Sequence, residues 1–167
     1  VVVFLAHAFN FLGSFGRPRS DQAVMAGSKF AMETPDGYDF HLSTGTLANY
    51  DEKYFKGQVE FWKDLISNDT YSAYWQARAA NRGLKNVKPA MLTVGGWFDA
   101  EDVYGPLSIY SSAEKNSPGA TNMLVEGPWS HGGWAGSDGS KLGNVQFASN
   151  TSKYFQDEIE FPFFNYH

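Results

Sequence analysis

One pattern limits the folds open to this chain more than any other. Ala90-Met91-Leu92-Thr93-Val94 is a continuous apolar run with β-branched members that stops at Gly95-Gly96, which is how a strand buried on both faces reads. Pro106 opens a helical pattern through Leu107, Ile109, Tyr110 and Ala113, halted at Ser117-Pro118-Gly119. A second short run, Asn122-Met123-Leu124-Val125-Glu126, then stops at Gly127-Pro128. Strand, helix and strand within about forty residues make a βαβ unit, whose strands run parallel in a sheet covered by helices. The expected fold class is therefore α/β.

The remaining segments read as helix and loop. Phe55, Val59, Trp62 and Ile66 repeat on one face of a single helix. Ser67-Asn68-Asp69 breaks it, and a second helix is expected to start with Asp69 or Thr70 as its cap, to bury Tyr71, Tyr74 and Trp75, and to close at Gly83. Residues 1–48 are loop-rich, with a turn at Thr34-Pro35-Asp36-Gly37 in which glycine supplies positive φ. Val1 to Leu5 is apolar without a basic segment before it, so it reads as a strand or helix cut at its start and not as a signal peptide. From Thr151 the chain looks helical until Pro162 interrupts it, after a Gly-rich loop that follows Gly132.

Composition narrows the function. A net charge of −5, with 13 scattered basic residues, excludes a nucleic-acid partner. Zero cysteines remove disulfides, thiolate nucleophiles and zinc ribbons together. No apolar run reaches the ~20 residues that cross a bilayer. No metal or other cofactor is expected. Cysteine absence leaves the compartment open, with bacterial periplasmic or secreted favoured over cytoplasmic. The 14 Phe, 9 Tyr and 5 Trp suit a thick core, an aromatic pocket or a face that further structure covers; the last of these implies self-association, as a homo-oligomer, when the face is bare.

The two strand ends carry the chemistry, since catalytic groups in open parallel sheets gather at the carboxyl ends of strands. The first strand runs out through Trp97 and Phe98 to Asp99, the second through Trp129 and Ser130 to His131. A carboxylate that fixes and charges an imidazole, which in turn takes a proton from a serine hydroxyl, is the apparatus of acyl transfer. The order acid then base matches the α/β-hydrolase order of serine, acid and histidine. The serine itself is missing, because no serine here sits in G-x-S-x-G: two positions before Ser14 stands Leu12, before Ser28 Ala26 and before Ser137 Ala135. Glu101 and Asp102 read as caps of the following helix. Taken singly, an Asp or His after a strand is more often a turn or structural residue, and Trp97 and Trp129 are most simply packing residues. The competing class is a non-catalytic binding module with an aromatic recognition surface.

The segment from Val94 to Pro106, V-G-G-W-F-D-A-E-D-V-Y-G-P, resembles the acid motif of the cocaine-esterase-like and X-Pro dipeptidyl-peptidase family of α/β-hydrolases. Leu124 to Gly132, L-V-E-G-P-W-S-H-G, is similar to its histidine motif. Phe9 to Arg19 and Ala73 to Arg78 resemble the helical cap of the glutaryl cephalosporin acylase and α-amino-acid ester hydrolase branch. The resemblance runs from about residue 9 to 165 and implies a piece of such a hydrolase. Residues 1–87 would be an aromatic-rich cap and 88–167 the last part of the catalytic sheet, with nucleophile elbow and jelly roll absent. It implies Asp99 as triad acid, His131 as base, and Trp97, Trp129 and Asp69 as substrate contacts. The implied partners are a small ester, amide or short peptide and the remainder of the parent chain.

Overall fold

The computed structural model describes residues 34–167, so the expectations placed on Val1–Leu5 and on the motif from Phe9 to Arg19 lie outside the described residues. The chain divides into two compact units, Val1–Arg78 and Ala79–His167. The boundary expected after residue 87 thus falls inside the second unit. There, the turn at Ala80–Gly83 packs on the helix of the βαβ unit, Asn81 bonds Ser108, and Val87 N–H donates to Ser117.

In the first unit, α1 (Gly37–Thr44) starts at Asp36, whose carboxylate accepts from the backbone of Tyr38 and Asp39. The expected Thr34–Gly37 turn is therefore a helix start, with Gly37 the first helical residue. α2 (Leu47–Tyr50) continues into a π-helical turn, Asp51–Phe55. There the single helix expected through Phe55 and Ile66 breaks, because Lys56 and Gly57 take left-handed φ of 52° and 73°. Asp51 holds the break by accepting the Gly57 N–H at 3.0 Å. The chain re-enters helix as α3 (Glu60–Ser67). The predicted apolar face survives the break: Phe55, Val59 and Trp62 are 0% exposed, in one core with Phe40 and Tyr50, and Ile66 packs against it.

α4 (Ala73–Arg78) starts later and ends earlier than expected. Ser72, bonded through its hydroxyl to Asn68 and through its carbonyl to Gln76 N–H, stands at the entry where Asp69 or Thr70 was expected. Tyr71 is exposed, whereas Tyr74 donates to Asp64 and Trp75 to the Asn68 carbonyl. Gly83 closes the separate turn at Ala80–Gly83.

The second unit holds the βαβ unit. β1 (Met91–Gly96) and β2 (Asn122–Gly127) pair in parallel, in a register running from Met91 opposite Asn122 to Gly96 opposite Gly127. α5 (Tyr104–Asn116) connects them and packs on both. The strands are only partly buried, with Met123 43% exposed, where burial on both faces was expected. Among the described residues this sheet has two strands, too few to bury a strand from both sides.

Beyond β2 come α6 (Gly133–Gly136), a hairpin of β3 (Lys141–Leu142) and β4 (Val145–Gln146), and a closing helix. That helix does not stop at Pro162. α7 (Thr151–Phe155) passes through a π-helical turn, Gln156–Glu160, into α8 (Phe161–Tyr166), with Pro162 in the first turn of the last stretch. Proline inside a helix costs an N–H bond to the carbonyl four residues back. Here the Phe161 N–H reaches back five residues to Gln156, and the widened turn takes the ring. Among the described residues, no helix is long and apolar enough to cross a membrane.

Trp62 is the center of the first unit, with its ring 5.4 Å from Tyr50, 5.1 Å from Phe55, and its Nε1 donating to the Leu47 carbonyl. Trp62→Ala is expected to cost about 3–5 kcal/mol in urea unfolding of this unit, and Trp62→Phe clearly less. Equal losses for both would show that the cavity is not what destabilises.

Candidate active site

The strand register decides where the two chemical groups go. Gly96 and Gly127 end their strands side by side, and the turns beyond them bond to each other: Trp97 N–H donates to the Gly127 carbonyl at 2.9 Å and Phe98 N–H to the Trp129 carbonyl at 3.1 Å. Gly96 permits this approach, because a Cβ there would overlap the Trp129 carbonyl oxygen. The turns carry Asp99 and His131 to within hydrogen-bond reach across 32 residues of sequence, His131 Nδ1 lying 2.8 Å from Asp99 Oδ2.

Asp99 is held by its own turn. Its Oδ1 accepts the N–H of Glu101 at 2.8 Å and of Asp102 at 3.1 Å, so both oxygens are engaged. Its side chain is 4% exposed and that of His131 61%. An ionised carboxylate only accepts, so the bond fixes the imidazole proton on Nδ1 and leaves Nε2 as the basic nitrogen. Among the described residues Nε2 has no hydrogen-bond partner. Asp102 also accepts the Gly105 N–H and so caps the start of α5, as expected; Glu101 contributes its N–H to Asp99.

The electrostatics follow. Burial pushes the Asp99 carboxyl up, but the Glu101 N–H, the His131 bond, the Asp102 N–H and the imidazolium charge together hold it below the ordinary aspartate range. The Asp99 bond and then its charge raise His131 above the ordinary histidine range, against partial desolvation and with help from Glu101 and Asp102. The depressed aspartate stabilises the fold above its unfolded pKa and loses this as pH falls through its folded value. The raised histidine stabilises below its unfolded pKa, and that is lost as pH rises through its folded value. Both contributions are present together between about pH 4 and pH 6.5.

The other expected site residues separate. Trp97 is 55% exposed beside Asp99, with Phe98 57% exposed. Trp129 is 4% exposed; its Nε1 donates to Thr151 Oγ1 at 2.9 Å, and its ring lies 5.5 Å from Phe155 and 6.1 Å from Trp134. The expectation of a substrate contact therefore fails at Trp129, which seats the His131 turn on the closing helix. Asp69 belongs to the first unit, exposed in the connection before α4. Among the described residues, no group of three or more His, Asp or Glu could hold a metal ion.

One acid escaped notice in the sequence. Glu126, the register partner of Gly95, has both carboxyl oxygens buried without a hydrogen-bond partner among the described residues. Burial raises its pKa, and the charge of Asp99 raises it further. Its signal was there to be read: a carboxylate closing an otherwise apolar strand.

A paired acid and base at parallel strand ends invites comparison with known hydrolases. The family model of the X-Pro dipeptidyl-peptidase (S15 family) matches residues 12–133. The chain belongs to this family. An α-amino acid ester hydrolase labelled with selenomethionine superposes with a TM-score of 0.76 at 28% identity, covering 83% of this chain and 23% of that one. An aminopeptidase from the marine sediment archaeon Thaumarchaeota archaeon gives 0.74 at 32% identity, covering 82% of this chain and 23% of that one. Among curated proteins, none matches the chain. This S15-family chain thus spans about a quarter of the length of these solved relatives, and its α/β fold is that of α/β-hydrolase-type ester hydrolases.

In the S15-family chain, Asp99→Asn is expected to lower the His131 titration midpoint, read from its ring nitrogens by NMR. A midpoint that stays put would mean the 2.8 Å contact does not form in solution. Gly96→Ala is expected to lower it too, by forcing the two turns apart.

Proposed function

We propose that this chain is the acid-and-base portion of a serine hydrolase that cleaves esters or amides of small acyl or short peptide substrates. The Nδ1–Oδ2 bond between His131 and Asp99, with Nε2 left open, carries the reading. His131 Nε2 takes the proton from a serine hydroxyl as that oxygen attacks the carbonyl carbon, and Asp99 stabilises the imidazolium. The proton then passes to the leaving alcohol or amine, and water, deprotonated by the same nitrogen, releases the acid from the acyl-enzyme. The serine and the oxyanion donors come from sequence other than these 167 residues, which contain no G-x-S-x-G. Membership of a peptidase family and likeness to an ester hydrolase and an aminopeptidase support the substrate class.

In this reading the aromatic-rich residues 1–87 are cap sequence, Trp97 is the contact beside the acid, and Asp69 is a candidate for meeting a charged substrate group. In a longer hydrolase carrying this segment, Asp99→Asn is expected to cut kcat by roughly 10⁴, the scale seen when a triad acid is lost in a serine protease. His131→Ala is expected to do at least as much, with KM little changed. The 167-residue chain alone is expected to leave p-nitrophenyl esters intact; turnover blocked by a serine-directed phosphonate would refute the assignment of the nucleophile elsewhere.

Tyr154, Phe161, Phe164 and Tyr166 are each more than 60% exposed along the closing helix. In this reading the rest of the hydrolase covers them, and alone the chain self-associates. Sedimentation at micromolar concentration is expected to show species larger than a monomer, and Phe161→Ser with Phe164→Ser to reduce them.

A further inference from the structure

Among the described residues, Glu126 carries a buried carboxyl that the acid–base pair does not use. Neither oxygen reaches solvent, and among the described residues neither meets a donor. Its carboxyl packs so closely over Gly95, its register partner, that a Cβ at that glycine would overlap it. The charged group acting on it is Asp99, and no cation is among those acting on it. Such surroundings reject a carboxylate and tolerate a carboxylic acid, since the charged form loses water and gains nothing in exchange.

We propose that Glu126 is a positioning residue of the Asp99–His131 pair, kept as a neutral carboxylic acid that fills the space over Gly95 at the strand ends. Its neutrality leaves the charge facing His131 to Asp99, with Glu101 and Asp102 behind it. Its bulk holds the ends of β1 and β2 at the spacing from which the two turns depart. This deepens the proposed function and rests on the reading of Asp99 as acid and His131 as base. A buried unpaired polar group is retained at a cost, which marks it as serving something other than stability.

The sign of the linkage gives a first readout. An acid whose folded pKa is raised stabilises below its unfolded pKa, about 4.3 for glutamate, and that contribution is lost as pH rises toward the folded value. Glu126→Gln takes up no proton on folding, so this part of the fall in stability should vanish in the variant.

The decisive experiment follows the side-chain carboxyl carbons of glutamate and the ring nitrogens of His131 by NMR, in the 167-residue chain and its Glu126 variants. Glu126 is expected to titrate above the other glutamates. Glu126→Gln, a neutral amide in place of a neutral acid, is expected to leave the His131 midpoint where it was. Glu126→Ala, which empties the space over Gly95, is expected to lower that midpoint and shift the Nδ1 proton upfield, and the glutamine variant to behave as the rescue. Glu126 titrating with the ordinary glutamates, a lowered His131 midpoint in Glu126→Gln, or a Glu126→Ala protein with an unaltered His131 would each overturn the proposal. If a variant fails to fold, the carbon titration of the unaltered chain decides by itself. No turnover is involved, so a hydrolase found inactive for want of a serine leaves this result standing.

Discussion

The parallel register of β1 and β2 is the constraint on which the site depends. It sets Gly96 against Gly127, and from that pair both chemical groups depart. The two turns then bond backbone to backbone, at Trp97 with Gly127 and at Phe98 with Trp129. Positions of acid and base are therefore set by main-chain hydrogen bonds, which are stiff, and not by long side chains, which are not. A slip of one residue would turn every side chain of a strand to the other face and separate Asp99 from His131.

Asp99 and His131 are held in different ways, and the difference suits the tasks proposed for them. Asp99 is buried, with each oxygen engaged, so its carboxylate is fixed in place and in charge. His131 is bonded on one side only and is mostly exposed. A base must exchange protons with something that arrives and leaves, so one nitrogen has to stay open. Under the proposed function, the buried partner supplies order and the exposed one reactivity.

Much of this was legible in residues 90–131, where each apolar run ends in glycine and each glycine precedes a polar group. The parallel pairing, the order of acid and base, and their meeting followed from that. What was not legible depended on conformations that apolar periodicity does not encode. Lys56 and Gly57 in left-handed φ split a helix whose buried face stayed intact. A π-helical turn let Pro162 sit inside a helix it was expected to end. Trp129 was read from the residues as a packing residue and from the resemblance as a substrate contact, and its indole turns inward to Thr151. Glu126 stood in the sequence as a carboxylate closing an apolar strand, and the packing over Gly95 adds that its oxygens are buried.

The indole of Trp129 reaches forward 22 residues to Thr151, whose hydroxyl reaches back to the Gly139 carbonyl. The Asp99 carboxylate, by contrast, takes its backbone bonds from Glu101 and Asp102, both within three residues. As the chain leaves the ribosome, the Asp99 carboxylate can therefore meet its own backbone donors once Asp102 has emerged, while the bonds of its turn to Gly127 and Trp129 wait for β2. The base turn cannot be seated until Thr151 has followed.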